Sequence, residues 1–167
     1  WANCTGVTGS PFDAYLTLRG LRTLFARIER QQATAGKIAE KLASHPAVKA
    51  VHYPGLKSHP NHALVAAQQA GPGAMLSFEL RGGTDAVRDL VETLEIFTLA
   101  ESLGGVESLI AHPATMTHAA MTPEQRATAG IGDGLVRLSV GLEHVEDLIA
   151  DLFPALDALV PATAAAA

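Results

Sequence analysis

Apolar residues recur at helical spacing at Ala14, Leu18, Leu21, Phe25 and Ile28, and again at Ala35, Ile38 and Leu42. One stripe of a helix is therefore apolar along this whole stretch. Ser10, Pro11 and Asp13 supply an N-cap, a first-turn proline and an acidic residue in the first turn. The spacing predicts one long helix from Pro11 to about Ser44, bent near Gly36. His45-Pro46 ends it, because a residue preceding proline avoids the helical region.

The period then changes. VKAVHY (48–53) reads as a strand closed by the YPG turn at 53–55, and Asn61 as the cap of a short helix that Gly71 terminates. In AMLSFEL (74–80), Ala74, Leu76, Phe78 and Leu80 alternate with Met75, Ser77 and Glu79, the period of a half-buried strand. Gly82-Gly83 turns the chain, Thr84 caps, and Val87, Leu90, Val91 and Leu94 mark one face of a helix. EIFTLA (95–100) reads as a short strand, and TPEQ (122–125) as a capping box opening a helix that Gly130 ends. In LVRLSV (135–140), Val136, Leu138 and Val140 point one way while Leu135, Arg137 and Ser139 point the other. A final helix carries Val145, Leu148, Ile149, Leu152 and Leu156 on one face, and PATAAAA (161–167) is low-complexity. This order predicts an α+β domain with helices on one face of a small, mostly antiparallel sheet.

Composition narrows the picture. At 167 residues and 48% apolar content the chain is one domain by length and large enough for a core without staples. Its net charge of -5 and its scattered cations leave no basic face for nucleic acid. Cys4 is the sole cysteine, so no disulfide forms within the chain and a cytoplasmic home is expected. No apolar run approaches the roughly 20 residues of a membrane span. The opening WANCTGVTGS reads as the interior of a longer protein.

Candidate chemistry concentrates in LAESLGGVESLIAHPATMTH (99–118) and at Arg137. Gly104-Gly105 allows backbone close to a ligand, Glu101 suits an ammonium group, and Ser102 suits a phosphate, hydroxyl or amine. An isolated loop of this composition is more often an ordinary polar turn. Arg137 is costly to bury in an apolar strand unless its hydrogen bonds are accepted, and its planar fork fits a carboxylate. A solvent-facing arginine, or one paired with an internal Asp or Glu, is the commoner outcome. His59-x-x-His62 with His52 nearby invites a metal, but a zinc site needs three or four ligands on a rigid frame, so a solvated turn is expected. His112 and His118 read as structural histidines, and no phosphate loop or Ser-His-Asp cue is visible. The residues alone lead to a soluble α+β domain with a candidate anion site.

GVTGSPFDAYLTLRGLRTLFARIERQ, VHYPGL, GAMLSFEL, FTLAESLGGVESLIAHPATMTHAAMTPEQRATAGI and LVRLSVGLEHVEDLIADL, in that order, resemble the C-terminal part of the Cys/Met-metabolism pyridoxal-phosphate enzymes. The resemblance runs from Trp1 to about Leu159, and WAN-x-x-GVTG and SLIAHPATMTHA look most like the cystathionine γ-synthase branch. It implies residues 1–10 as a segment arriving from a large domain, 11–159 as the small domain with its linking helix, and 160–167 as a tail. It implies that Arg137 binds the substrate α-carboxylate, that Ser102 lies beside the cofactor lysine and that carboxylate, and that Glu101 meets the distal end of cystathionine. Leu103, Gly104 and Thr117 would line the same wall. The implied cofactor is pyridoxal 5'-phosphate, held by a lysine outside this chain, since Lys37, Lys41, Lys49 and Lys57 match no cofactor-lysine motif. The implied reaction joins an O-acylhomoserine to cysteine, giving cystathionine. Cystathionine γ-lyase, sulfhydrylase and methionine γ-lyase members are the neighbouring branches, and a noncatalytic amino-acid- or partner-binding domain is the alternative from another class. Homotetrameric assembly is expected of the complete enzyme. An uncovered apolar face would favour the enzyme reading, and a polar one the stand-alone domain.

Overall fold

In the computed structural model, which describes residues 1–160, the PATAAAA segment lies outside the described residues. Strands β1 (Val48–His52), β2 (Met75–Leu80), β3 (Thr98–Leu99), β4 (Leu109–Ala111) and β5 (Leu135–Ser139) form one sheet in the order β1-β2-β5-β4-β3. Every neighbouring pair is antiparallel except β3 with β4. Helices α1 (Ala2–Thr5), α2 (Pro11–Leu21), α3 (Leu24–Ala43), α4 (His62–Gln68), α5 (Gly83–Val91), α6 (Pro123–Thr128) and α7 (Val145–Ala158) complete the elements of the described residues.

The core follows the period-2 pattern. Leu76, Phe78 and Leu80 of β2 and Val136 and Leu138 of β5 are buried against α3, α5 and α7, which supply Ile38, Leu42, Val87, Leu90, Leu148, Leu152 and Leu156. Burying these side chains contributes roughly 1.5–3 kcal/mol each, which is what fixes the helices to this face. The opposite face aligns Ser77, Arg137 and Ala111 across three strands, and Met75, Ser139 and Leu109 beside them.

The long helix expected over 11–44 is two helices, separated at Arg22-Thr23, and Gly36 lies inside an unbroken α3. The break has a local cause. The Gly20 carbonyl accepts from the Thr23 amide (3.3 Å), the Thr23 hydroxyl (3.3 Å) and Arg27 Nη1 (3.0 Å), so side chains satisfy the backbone in place of a continuing helical ladder. The apolar stripe is divided as well. Ala35, Ile38 and Leu42 are fully buried, whereas Leu18, Leu21, Phe25 and Ile28 are exposed.

Three smaller expectations change. Gly82, at φ +116°, takes the N-cap position of α5, so Thr84 sits inside the first turn. Asn61 precedes α4 without a side-chain cap bond, and the helix ends at Gln68 before Gly71 is reached. EIFTLA contributes only Thr98 and Leu99 to the sheet, because the amides of Glu95, Ile96 and Phe97 donate to the Asp151 carboxylate at 2.8, 3.0 and 3.1 Å. The capping box at Thr122 forms as expected, with Gln125 returning the bond to the Thr122 amide, and Gly130 follows at φ +72°.

Candidate functional site

Arg137 stands in the middle of β5, which lies between β2 and β4, and projects from the face opposite Val136 and Leu138. Residues 100–108 connect the parallel pair β3 and β4 without a helix and pass over this open face. The contacts are specific: Arg137 Nη2 donates to the carbonyls of Glu101 (2.7 Å) and Ser102 (3.0 Å), and the Gly104 amide donates to Ser139 Oγ (2.9 Å). Gly104 turns the loop at φ +75°, a backbone conformation open to glycine and strained for other residues.

The returning limb of the loop is held from beneath. Gln31, buried on α3, donates to the Gly105 carbonyl at 2.7 Å. The Glu143 carboxylate accepts from the Ser108 amide (2.7 Å) and the Ser108 hydroxyl (2.8 Å), and that hydroxyl accepts from the Gly141 amide (2.9 Å). A Cβ at Gly141 would collide with the Val106 carbonyl, so glycine lets the two backbones meet there. Gln31, Ser108, Ser139 and Glu143 carry no signal in the sequence that marks them as site residues. Only the alternation along LVRLSV, which puts Ser139 on the face of Arg137, points towards one of them.

The guanidinium is incompletely satisfied. Among the described residues Arg137 forms no salt bridge, and its Nε is buried without a hydrogen-bond partner. The internal Asp or Glu partner that the sequence left open is therefore not what this arginine meets. A buried N–H without an acceptor costs on the order of 1–3 kcal/mol, and an anionic acceptor relieves that cost most effectively. Glu101, Ser102, Leu103 and Gly104 are all exposed, so these residues form an open wall beside the cation. Glu101 and Ser102 reach Arg137 through backbone carbonyls, which leaves the carboxylate and hydroxyl facing outward.

Thr117 is not drawn into this cluster by any hydrogen bond among the described residues: its hydroxyl pairs with His118 Nδ1 at 2.8 Å. His112 is buried and structural, holding Thr115 Oγ1 (2.8 Å) and the Asp133 carbonyl (3.0 Å). His62 Nδ1 bonds the Pro54 carbonyl at 2.9 Å and His59 Nδ1 accepts from the Asn61 amide at 3.2 Å. Among the described residues no group of three or more His, Cys, Asp or Glu is arranged to hold a metal ion, and no helix is long and apolar enough to cross a membrane.

Residues 1–157 match the profile of the family described as Cys/Met metabolism PLP-dependent enzyme. The chain belongs to this family. It is 57% identical over 152 residues to cystathionine γ-synthase of Escherichia coli, a match covering 91% of this chain and 39% of the relative. It is 54% identical over 156 residues to L-methionine γ-lyase of Porphyromonas gingivalis, covering 93% and 39%. The structure superposes on that of cystathionine γ-synthase from Xanthomonas oryzae pv. oryzae in complex with aminoacrylate and cysteine, with TM-score 0.89, 65% identity, and coverage of 94% of this chain and 41% of that one. The chain thus spans about two fifths of the length of these relatives.

The arrangement at Arg137 suits an anionic acceptor. It offers no amine to the cofactor. Lys41 extends over the Phe153 ring, 4.3 Å from its centroid, and Lys49 bonds Glu79 at 2.9 Å. Lys37 stands on the exposed side of α3 and Lys57 in the exposed turn after β1. None of these lysines is bonded to the Arg137 cluster.

Proposed function

We propose that this chain is the C-terminal portion of a pyridoxal-phosphate-dependent cystathionine γ-synthase, and that residues 11–159 are its small domain, entered through 1–10 and followed by the tail 160–167. The observation that carries the reading is the unpaired Arg137 guanidinium, fixed at Nη2 and free at a buried Nε, beside the open 101–104 wall. Arg137 receives the α-carboxylate of the amino-acid substrate. Ser102 stands beside that carboxylate, Glu101 meets the ammonium at the distal end of cystathionine, and Leu103, Gly104 and Thr117 complete the wall. In the reaction the Cγ–O bond of an O-acylhomoserine breaks, a Cγ–S bond to cysteine forms, and the thiol proton leaves with the released acid. Pyridoxal 5'-phosphate, held by a lysine in the remainder of the protein, supplies the electron sink for this chemistry.

The uncovered apolar surface supports the view that the rest of the protein packs here. Phe12, Tyr15, Leu16, Leu18, Leu21 and Phe25 are exposed along α2 and the start of α3, and Leu103 and Val106 along the site loop. Exposed apolar side chains in such a run mark a surface that packs against something else, which favours the enzyme reading over a stand-alone domain that binds only amino acids. The complete enzyme is proposed to be a cytoplasmic homotetramer.

The neighbouring branches are cystathionine γ-lyase and methionine γ-lyase, and the similarity to a relative named L-methionine γ-lyase keeps the latter in view. Glu101 favours a cystathionine-handling enzyme, because a distal ammonium needs a carboxylate and the methyl thioether of methionine does not. The test is product analysis of the complete protein given an O-acylhomoserine with cysteine, cystathionine alone, or methionine alone. Cystathionine formation as the fastest reaction supports the synthase. Faster breakdown of cystathionine or of methionine replaces it with the corresponding lyase.

A further inference from the structure

We propose that Ser139 is a positioning residue for the carboxylate-binding arginine, an inference that rests on the reading of Arg137 above. Arg137 and Ser139 share one face of β5, two positions and about 7 Å apart. The 101–104 segment meets the strand at both. Its carbonyls at 101 and 102 engage Arg137 Nη2, and its amide at 104 engages the hydroxyl of Ser139, which is only 2% exposed.

The two attachments do different things. The carbonyl contacts orient the guanidinium, but they can only do so if the loop itself is fixed to something other than that guanidinium. Ser139 is the fixed point nearest to them on the strand. Without its oxygen the Gly104 amide turns to solvent, and the loop carbonyls and Arg137 are free to move together. A ligand carboxylate must then order both, and that cost appears in its affinity. The limb beyond Gly104 keeps its own anchors at Gln31 and Glu143, so the loop stays in place as a whole and the effect remains local to Arg137.

The experiment uses the complete holoenzyme with two probes that share the α-amine and differ in the carboxylate, L-alanine and L-alaninamide. Their dissociation constants are read from the change in cofactor absorbance, with the melting temperature alongside. In Ser139→Ala, L-alanine binding is expected to weaken about tenfold, the scale of one lost hydrogen bond, while L-alaninamide binding stays as it was. Ser139→Cys leaves no cavity, being slightly larger, and weakens the acceptor, so it carries the same expectation and stands in if the alanine variant melts early. Equal weakening of both probes, or unchanged L-alanine binding, overturns the positioning role. If the unsubstituted enzyme binds the two probes alike, the carboxylate reading of Arg137 fails first and takes this inference with it. If it prefers L-alanine and the Ser139 variants do too, by the same factor, only the positioning role is lost.

Discussion

A guanidinium whose Nη2 already serves two carbonyls has its plane set before any ligand arrives, so the carboxylate proposed as its ligand would find Arg137 already ordered. Arg137→Lys keeps the charge and loses the fork. In the complete enzyme it is expected to weaken binding of α-amino acids on the order of 100-fold with the melting temperature preserved, measured by ligand titration and thermal melting. Unchanged affinity would move the carboxylate receptor elsewhere. Tyr53 allows a pH prediction. It is 1% exposed, its hydroxyl donates to the Gly73 carbonyl at 2.9 Å, and burial pushes its pKa from 10.0 up to about 12. Because the folded state holds the phenol proton more tightly than the unfolded state, this stability is present in full below pH 10 and is lost as pH rises from about 10 to about 12. Denaturant titrations across that window should give a steeper loss in the unsubstituted protein than in Tyr53→Phe. Equal slopes would remove Tyr53 as the cause. At this scale the cost of burying Arg137 was legible, because a lone charge in an apolar strand demands an explanation, but the carbonyl acceptors it meets were not. The contributions of Glu101 and Ser102 were legible only as side chains, whereas the structure uses their carbonyls, which any residue type supplies.

Among the elements, Asp151 of α7 organises the entry to β3 by accepting the amides of Glu95, Ile96 and Phe97, three donors that would otherwise lack a ladder partner. Asp151→Ala is expected to destabilise the fold by roughly 2 kcal/mol, read from urea denaturation, since charge-assisted bonds to backbone amides are worth more than neutral ones. A change within a few tenths of a kcal/mol would mean water replaces the carboxylate without loss. Periodicity located the long strands correctly, since Leu76, Phe78 and Leu80 alternate in burial as they alternate in type. It failed where side chains compete with backbone hydrogen bonds: at Gly20–Arg27, where they end a helix, and at 95–97, where they replace a strand. Such competition depends on which side chain reaches which carbonyl or amide, and hydrophobic spacing contains no information on that.

For the whole molecule, the uncovered stripe on α2 and early α3 predicts behaviour of the isolated 167-residue chain. It should self-associate with rising concentration in sedimentation velocity, and Leu18→Lys with Phe25→Glu, at positions 54% and 87% exposed, should reduce that association. A chain that stays monomeric in both forms would indicate that the surface needs no cover. The isolated chain is also expected to form no cystathionine, because the lysine that anchors the cofactor is proposed to lie outside it, and product formation by a verified preparation of this chain alone would overturn that placement.

By itself the sequence determined the helical spacing on either side of the break at Arg22-Thr23, the alternation in β2 and β5 and the caps at Ser10 and Thr122, because each is a relation between residues close in the chain. Its longer motifs also carried the family. Only the tertiary structure decided that one half of the apolar stripe from Ala14 to Leu42 is buried and the other is not, that the 100–108 loop lies on β5, and that Ser139 holds its outgoing limb and Gln31 and Glu143 its returning one. These are contacts between residues 35 to 74 positions apart, and their partners are chosen by the packing of the sheet and helices, not by any neighbour in sequence.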